Sequence, residues 1–172
     1  GTQIDASYHF YDEKDGGVSI EKYAVENFMG PCAKLDFYDI DIKTLVTRKD
    51  IENWEKDHYD IKRGDIVLFN FGWGKKFGTM PKGAAFTAEW PGIDESAAQY
   101  LAEKECKMAG VDTFAIDASF STTFEAHRVL LAKNIPIAEC VANLDKLPDR
   151  AYFIGLPLPL KGGSGSPIRA VG

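Results

Sequence analysis

The stretch Ile66-Val67-Leu68-Phe69-Asn70-Phe71 decides the fold. The run is apolar apart from Asn70, and such a continuous run is typical of a strand that is buried on both sides. Arg63-Gly64-Asp65 precedes it as a turn, and Gly72-Trp73-Gly74 ends it. We therefore expect a central strand over 66–71.

Helical and extended patterns alternate on both sides of this strand. We expect helices over 19–29, 47–59, 94–108 and 122–133, and further strands over 33–42, 111–118, 135–140 and 152–160. Gly110 is expected to cap the third helix, and Thr122 with Glu125 to form a capping box that opens the fourth. Residues 75–93 contain three Gly and two Pro, which predicts an irregular loop. This alternation of strands and helices predicts an α/β domain.

Length and charge narrow the class of protein. The 172 residues, with 45% hydrophobic and 27% charged side chains, predict one globular domain over 1–172. A net charge of −6 argues against nucleic acid or an anionic membrane as the main partner. No apolar run approaches the ~18–20 residues that a transmembrane helix needs. Because the chain opens at Gly1 instead of Met, we expect a truncated or processed amino terminus.

The three cysteines indicate the redox compartment. Cys32, Cys106 and Cys140 are odd in number, widely spaced and free of any C-x-x-C pair. This usage argues against a disulfide framework and favours a reducing, cytoplasmic location. We expect all three thiols to be core residues.

The three histidines are candidates for chemistry. His58 lies at a charged helix end, where a surface position is expected. His127 lies inside the fourth predicted helix, where the structural interpretation is a half-buried imidazole satisfied by a hydrogen bond. The functional interpretation rests on Glu139, because a carboxylate at the end of an apolar strand must be paired or bound to a cation. A helix, turn and strand can bring 127 and 139 together, and this pair suits zinc or manganese.

The amino-terminal segment adds a second carboxylate and a second imidazole, Asp5 and His9. With His127 and Glu139, these are the residue types for a metal-activated water and a proton shuttle. A bound metal lowers the pKa of water to about 7, and a free histidine moves protons at neutral pH. Positions 9 and 127 are distant in sequence, so spacing alone leaves open an ordinary α/β domain with no site.

The segment Gly1-Thr2-Gln3-Ile4-Asp5-Ala6-Ser7-Tyr8-His9 resembles the signature H-x-G-T-H-x-D-x-P-x-H of the cyclase family. That family includes kynurenine formamidases, isatin hydrolases and related metal-dependent lactone and amide hydrolases. The resemblance covers most of the chain. Further similar motifs follow in order: Gly64–Leu68 with Phe71-Gly72-Trp73; Pro91-Gly92-Ile93; Gly110-Val111-Asp112-Thr113 with Asp117; Ala126-His127-Arg128; Ile135-Pro136-Ile137 with Glu139; and Gly165-Ser166-Pro167-Ile168-Arg169-Ala170.

The resemblance implies a swivelling β/β/α domain of the cyclase type, commonly a homodimer or homotetramer. It implies an amide, lactam or lactone hydrolase that acts on a small molecule with a metal-activated water. Asp5, His127 and Glu139 match metal ligands, His9 matches the acid/base, and Trp73 matches a position near the substrate. Phe10 lies close to the signature and would suit an aromatic substrate, although aromatic residues also fill cores.

This sequence departs from the signature at three positions. The first histidine would lie two residues before Gly1, the second is Gln3, and the proline is Ser7. Gln3 stays a candidate ligand, but a neutral amide oxygen binds zinc weakly, which puts one of the two family metal sites in doubt. The alternative to the hydrolase is therefore a metal-free cyclase-fold protein that binds a small molecule or a partner without turnover.

Overall fold

The computed structural model describes all 172 residues. Seven strands form the main sheet: β1 (Gln3–Asp5), β2 (Met29–Asp36), β4 (Ile66–Asn70), β6 (Met108–Val111), β7 (Ile137–Glu139), β8 (Arg150–Ile154) and β9 (Gly165–Pro167). Their order across the sheet is β8-β2-β4-β6-β7-β1-β9. Two short strands, β3 (Leu45–Val46) and β5 (Gly92–Ile93), pair in parallel in a separate sheet.

Four α-helices and six short 3-10 helices complete the fold. The α-helices are α1 (Arg48–Asp57), α2 (Ala84–Ala88), α3 (Glu95–Glu103) and α4 (Glu125–Ala132). Side chains define the starts of two of them. The Thr47 backbone N–H donates to Asp50 at 2.8 Å in a capping box of α1, and Asp94 accepts from the Ala97 N–H at 2.9 Å to cap α3. None of the helices combines the length and the apolar character needed to cross a membrane.

The sheet has a parallel centre and antiparallel flanks. Strands β2, β4, β6 and β7 run parallel, so their carboxyl ends meet at one edge. Strands β8, β1 and β9 are antiparallel to their neighbours. In open α/β sheets the crevice outside the carboxyl ends of the strands is the usual ligand site. Glu139, the last residue of β7, lies at this edge.

Both faces of the sheet are buried. A larger core of 26 residues includes Val67 and Phe69 of β4 together with residues of α1, α3 and α4. A smaller core of 12 residues on the other face includes Ile66 and Leu68 and is covered by irregular segments. This alternation confirms the prediction of a strand buried on both sides. The three cysteines are also buried and free, as expected.

The predicted helix over 19–29 is wrong. The segment forms two 3-10 helices, Ile20–Lys22 and Val25–Phe28, and β2 begins directly at Met29. Ile20 and Phe28 are buried in the smaller core. Their burial against the sheet outweighs the local helical periodicity.

The strand predicted over 111–118 is also wrong, since β6 covers only Met108–Val111. After Val111 the chain leaves the sheet because two buried carboxylates, Asp112 and Asp117, accept backbone N–H groups from other segments. The helix expected to reach 108 ends at Glu103. Gly110 is therefore no helix cap. It lies inside β6, where an added Cβ would come within 2.7 Å of Leu68.

The remaining differences between the predicted and observed structure concern one predicted loop, the bounds of three strands and the start of helix α4. Residues 75–93 contain α2 and β5 and are not wholly irregular. The strands predicted over 33–42, 135–140 and 152–160 occupy Met29–Asp36, Ile137–Glu139 and Arg150–Ile154. Helix α4 begins at Glu125, and its N-cap position is Phe124 in the left-handed conformation (φ 54°, ψ 52°). The expected capping box at Thr122 is absent, because Asp117 accepts the first helical N–H groups instead.

Candidate metal centre and catalytic site

The pairing of β1 with β7 brings the amino-terminal residues of the predicted site next to those near residue 139. β1 lies antiparallel beside β7, with Gln3 opposite Glu139 and Asp5 opposite Ile137. Because strand side chains alternate between faces, Gln3, Asp5 and Glu139 project from the same face. Helix α4 packs on that face and adds His127. The candidate ligand atoms of Asp5, His127 and Glu139 all lie within 4.8 Å of one another.

The imidazole of His127 points between two carboxylates. Its Nε2 lies 3.3 Å from Oε1 of Glu139 and 3.6 Å from Oδ2 of Asp5. All three residues are buried, with 4–7% of their surface exposed. Oε1 of Glu139 also accepts the Ile116 backbone N–H at 3.0 Å, which fixes the position of that carboxylate. The structure thus brings together the three residues predicted to bind metal.

Asp117 is a site residue that sequence reasoning missed, although it was recognised as part of a motif. Its Oδ2 lies 2.5 Å from Nδ1 of His127 and accepts the His127 backbone N–H at 3.1 Å. Its Oδ1 accepts the Ala126 N–H at 2.9 Å. The signal in the sequence was a second apolar-flanked carboxylate shortly before a helix start, where carboxylates favour the N-terminal N–H groups.

The charges of this cluster favour a cation. Burial disfavours the imidazolium, but hydrogen bonds to Asp117, Asp5 and Glu139 outweigh it and raise the pKa of His127 to about 11. Burial raises the pKa of Glu139, and the charge of Asp5 acts in the same direction. Three carboxylates surround a single imidazole, so acidic groups outnumber basic groups in the cluster. Such buried charge is normally compensated by pairing or by a metal ion.

His9 and Phe10 lie at the outer side of the cluster. His9 ends the 3-10 helix Ser7–His9, is exposed, and has its ring centroid 6.3 Å from that of His127. The Phe10 ring stacks on His127 at 5.0 Å with an interplanar angle of 19°. His9 is thus exposed to solvent beside the buried cluster, and its role as the acid/base stays a prediction.

Ser7, which replaces the signature proline, anchors the turn that carries His9. Its Oγ accepts the Val18 N–H at 2.8 Å and the Tyr23 hydroxyl at 3.0 Å. The same hydroxyl donates to Oδ1 of Asn134, just after α4, at 2.5 Å. These hydrogen bonds tie the turn to Val18, Tyr23 and Asn134.

Gln3 and Trp73 differ in how they relate to the cluster. The Gln3 side-chain amide donates to Oε2 of Glu139 at 3.4 Å, so Gln3 adjoins the candidate ligands. Trp73 is buried in the larger core, and its indole N–H donates to the Phe86 carbonyl at 3.2 Å. Metal binding by Gln3 and substrate contact by Trp73 and Phe10 stay predictions.

His58 is exposed, as predicted, and stacks on Trp54 with 4.4 Å between ring centroids.

Comparisons with known proteins fit this geometry. The Cyclase family model matches residues 1–118. The chain is 32% identical to the isatin hydrolase of Roseibium aggregatum over 188 aligned positions, covering 99% of this chain and 70% of that protein. The chain belongs to the cyclase family. It is also 30% identical to a kynurenine formamidase of Bacillus cereus, covering 99% of this chain and 74% of the relative.

Solved structures of cyclase-family proteins share the fold. An isatin hydrolase bound to the product analogue thioisatinate matches with a TM-score of 0.90 and 31% identity, over 99% of this chain and 70% of that one. A second structure, described as a potential metal-dependent hydrolase with cyclase activity, matches with a TM-score of 0.78 and 27% identity, over 99% and 76% of the two chains. The predicted family and its α/β fold are confirmed. These relatives bear out a metal-dependent amide hydrolase over a metal-free binding protein.

Proposed function

We propose that this protein hydrolyses an amide, lactam or lactone bond of a small molecule, with a divalent metal held by Asp5, His127 and Glu139 and with His9 as the acid/base. The observation that carries the proposal is the convergence of two carboxylates and one imidazole in a buried cluster, with their candidate ligand atoms within 4.8 Å of one another. The residues come from β1, α4 and β7, so the strand pairing and helix packing position them rigidly.

The donor set fits zinc or manganese. Imidazole nitrogen with carboxylate oxygen is a common ligand combination for both ions. The excess negative charge of the cluster favours a divalent cation in the same place. Gln3 is a further candidate ligand, since its side chain already contacts Glu139. To bind an ion it would turn its carbonyl oxygen toward the cluster.

Each part of the hydrolysis can be assigned to a group at the cluster. A divalent ion bound there supplies a Lewis acid for the scissile carbonyl and lowers the pKa of water to about 7. Water adds its oxygen to the carbonyl carbon and releases one proton to solvent, and the bond from that carbon to the leaving nitrogen or oxygen breaks. His9 gives a proton to the leaving atom and recovers one from solvent, which its exposed position allows. The products are a carboxylic acid and an amine or alcohol, which stay in one molecule when the substrate is cyclic.

Aromatic side chains beside the cluster suit a planar substrate. Phe10 stacks on His127, and Phe124 packs edge-on against Phe10 with 6.1 Å between ring centroids. Two relatives are named isatin hydrolase and kynurenine formamidase. We therefore propose an aryl formamide or an isatin-type lactam as the substrate class. Phe10 forms the wall against which its ring stacks, and Trp73 supports the site from the core.

A metal-reconstitution experiment tests the proposed function. The purified protein is stripped with a chelator, reloaded with zinc or manganese, analysed for bound metal, and assayed with formylkynurenine, isatin and a simple lactone. We expect near-stoichiometric metal and metal-dependent hydrolysis of at least one substrate. Glu139→Gln should lose both metal and activity, whereas Glu26→Gln, which changes an exposed carboxylate, should lose neither. Absence of bound metal after reloading would favour the binding protein instead.

Assembly and location are further proposals. We propose a homodimer or homotetramer, supported by the family resemblance and by exposed large apolar side chains such as Leu156 and Leu158. A cytoplasmic location is supported by three free, buried cysteines. Light scattering after gel filtration tests the first proposal. A mass of one chain at micromolar concentration would contradict it.

A further inference from the structure

Asp117 connects the candidate ligand His127 to the start of helix α4. Its carboxylate is 3% exposed and has His127 as its ion-pair partner. One oxygen, Oδ2, contacts both the ring Nδ1 and the backbone N–H of His127, at 2.5 and 3.1 Å. The other oxygen accepts the Ala126 N–H. A single side chain therefore holds both the backbone and the ring of one candidate metal ligand.

The contact at Nδ1 determines which ring nitrogen is free to bind an ion. A neutral imidazole has one protonated nitrogen and one lone pair. An acceptor at Nδ1 keeps the proton there, so the lone pair lies on Nε2. In this structure Nε2 is the atom that faces Asp5 and Glu139. The same hydrogen bond also fixes the rotation of the ring.

A purely structural role for Asp117 is the competing interpretation. Phe124 at the N-cap position makes no side-chain cap bond, so Asp117 supplies the acceptor for the first turn of α4. A helix cap, however, needs contact only with backbone N–H groups. The contact with the ring is additional, and it gives the two roles different experimental consequences.

We propose that Asp117 is a positioning residue for metal binding, which orients His127 and holds its proton on Nδ1 so that Nε2 faces the ion. The proposal rests on the proposed function, because it requires a metal at Asp5, His127 and Glu139. Asp117 acts through His127 and needs no contact with substrate.

Zinc affinity of the metal-free protein measures this role directly. The dissociation constant is determined by competition with a chromophoric chelator at fixed pH and is corrected for proton competition with the His127 pKa measured by NMR in each protein, without any assay of activity. Removing the partner of a metal-bound histidine typically weakens metal binding about 10–100-fold, and we expect this loss for Asp117→Ala. An unchanged dissociation constant would overturn the proposal.

Ser121→Ala is the matched control for helix capping. Ser121 Oγ accepts the Phe124 N–H and donates to Glu125, both at 3.0 Å, at the same helix start. We expect Ser121→Ala to lower thermal stability and leave zinc affinity within about twofold, since the Ser121 hydroxyl bonds only Phe124 and Glu125 and none of the candidate ligands. If the two variants lost equal stability and Ser121→Ala weakened zinc binding as much as Asp117→Ala, Asp117 would act only as a helix cap.

Asp117→Asn is the conservative variant. Its amide oxygen can replace Oδ2 and accept both contacts from His127, while its NH₂ group faces the Ala126 N–H and loses that bond. We therefore expect a zinc affinity between those of the wild type and Asp117→Ala. An Asn variant as weak as the Ala variant would contradict orientation by hydrogen bonding.

Nitrogen NMR of the zinc-loaded wild type decides the case even where Asp117→Ala fails to fold. The chain has only three histidines, so the ring signals are readily assigned. We expect His127 to carry a proton on Nδ1 and to bind zinc through Nε2, and coordination through Nδ1 would overturn the proposal. A wild-type protein that binds no zinc or manganese would instead refute the proposed function, so the two failures are distinguishable.

Discussion

Proton competition at His127 should make metal binding steeply dependent on pH. In the metal-free protein the three surrounding carboxylates raise the pKa of His127 to about 11 despite its burial. A ligand imidazole must be neutral, so binding releases this proton. At pH 7 the ring is four pH units below that pKa, and deprotonation costs about 5 kcal/mol of the intrinsic binding free energy at 1.36 kcal/mol per unit. Apparent affinity should rise about tenfold per pH unit.

The assay is chelator competition for zinc between pH 6.5 and 8.5, corrected for protonation of the chelator, with proton release measured by calorimetry in two buffers. We expect a slope near one in the logarithm of affinity against pH, and a release of about one proton per ion. His58→Ala, which changes an exposed ring outside the cluster, should leave the slope unchanged. A pH-independent affinity in this range would contradict the prediction, because no proton on His127 would then compete with the ion.

Three further changes test the fold around the site. Gly110→Ala places a Cβ 2.7 Å from a methyl carbon of Leu68 in β4, so urea unfolding should show a loss of about 1–3 kcal/mol in the free energy of unfolding. The added Cβ of Gly74→Ala meets no atom within 4 Å, so this variant should lose less. Asp112→Ala leaves three backbone N–H groups of the turn at 71–74 without their acceptor, which should cost about 1–3 kcal/mol or more and shift the fluorescence of Trp73. Phe124→Gly removes a bulky side chain from a residue whose backbone is left-handed, which relieves strain. Thermal unfolding should therefore show a gain of up to about 1 kcal/mol in the free energy of unfolding. Equal losses in the two glycine variants, wild-type stability of Asp112→Ala, or a clear loss in Phe124→Gly would contradict these contacts.

The helices and strands that depend on interactions between residues close in sequence were predictable. The apolar run at 66–71 becomes the buried strand β4, and Thr47 begins α1 as the helical pattern indicated. Periodicity and capping act within a few residues, so a single sequence reveals them. The boundaries of these elements differ by only one or two residues from those expected.

Segments whose hydrogen bonds go to distant parts of the chain were not predictable. The strand expected at 111–118 fails because Asp112 and Asp117 bind backbone groups at 71–74 and 126–127. The helix expected at 19–29 fails because its apolar residues are buried against the sheet from short turns. Side-chain bonds of this kind compete with regular structure and have no signature in local periodicity.

The candidate site was predictable only in part for the same reason. Asp5 and Glu139 meet because β1 pairs with β7, across more than 130 residues of chain. Residue types could propose Asp5 and His9 beside His127 and Glu139, but the resemblance to the cyclase family was needed to assign Asp5 to the metal. Asp117 was missed because the helix start that it caps was assigned to Thr122. A buried acceptor can thus replace a local cap without leaving a pattern in the sequence.

The most direct test of the metal centre is a crystal structure of the manganese- or zinc-loaded protein, with anomalous scattering recorded at the metal edge. We predict one strong anomalous peak within about 2.0–2.3 Å of a carboxylate oxygen of Asp5, Nε2 of His127 and a carboxylate oxygen of Glu139. A peak bound to other residues, or no peak at this cluster after loading, would contradict the central claim that these three side chains form the metal centre.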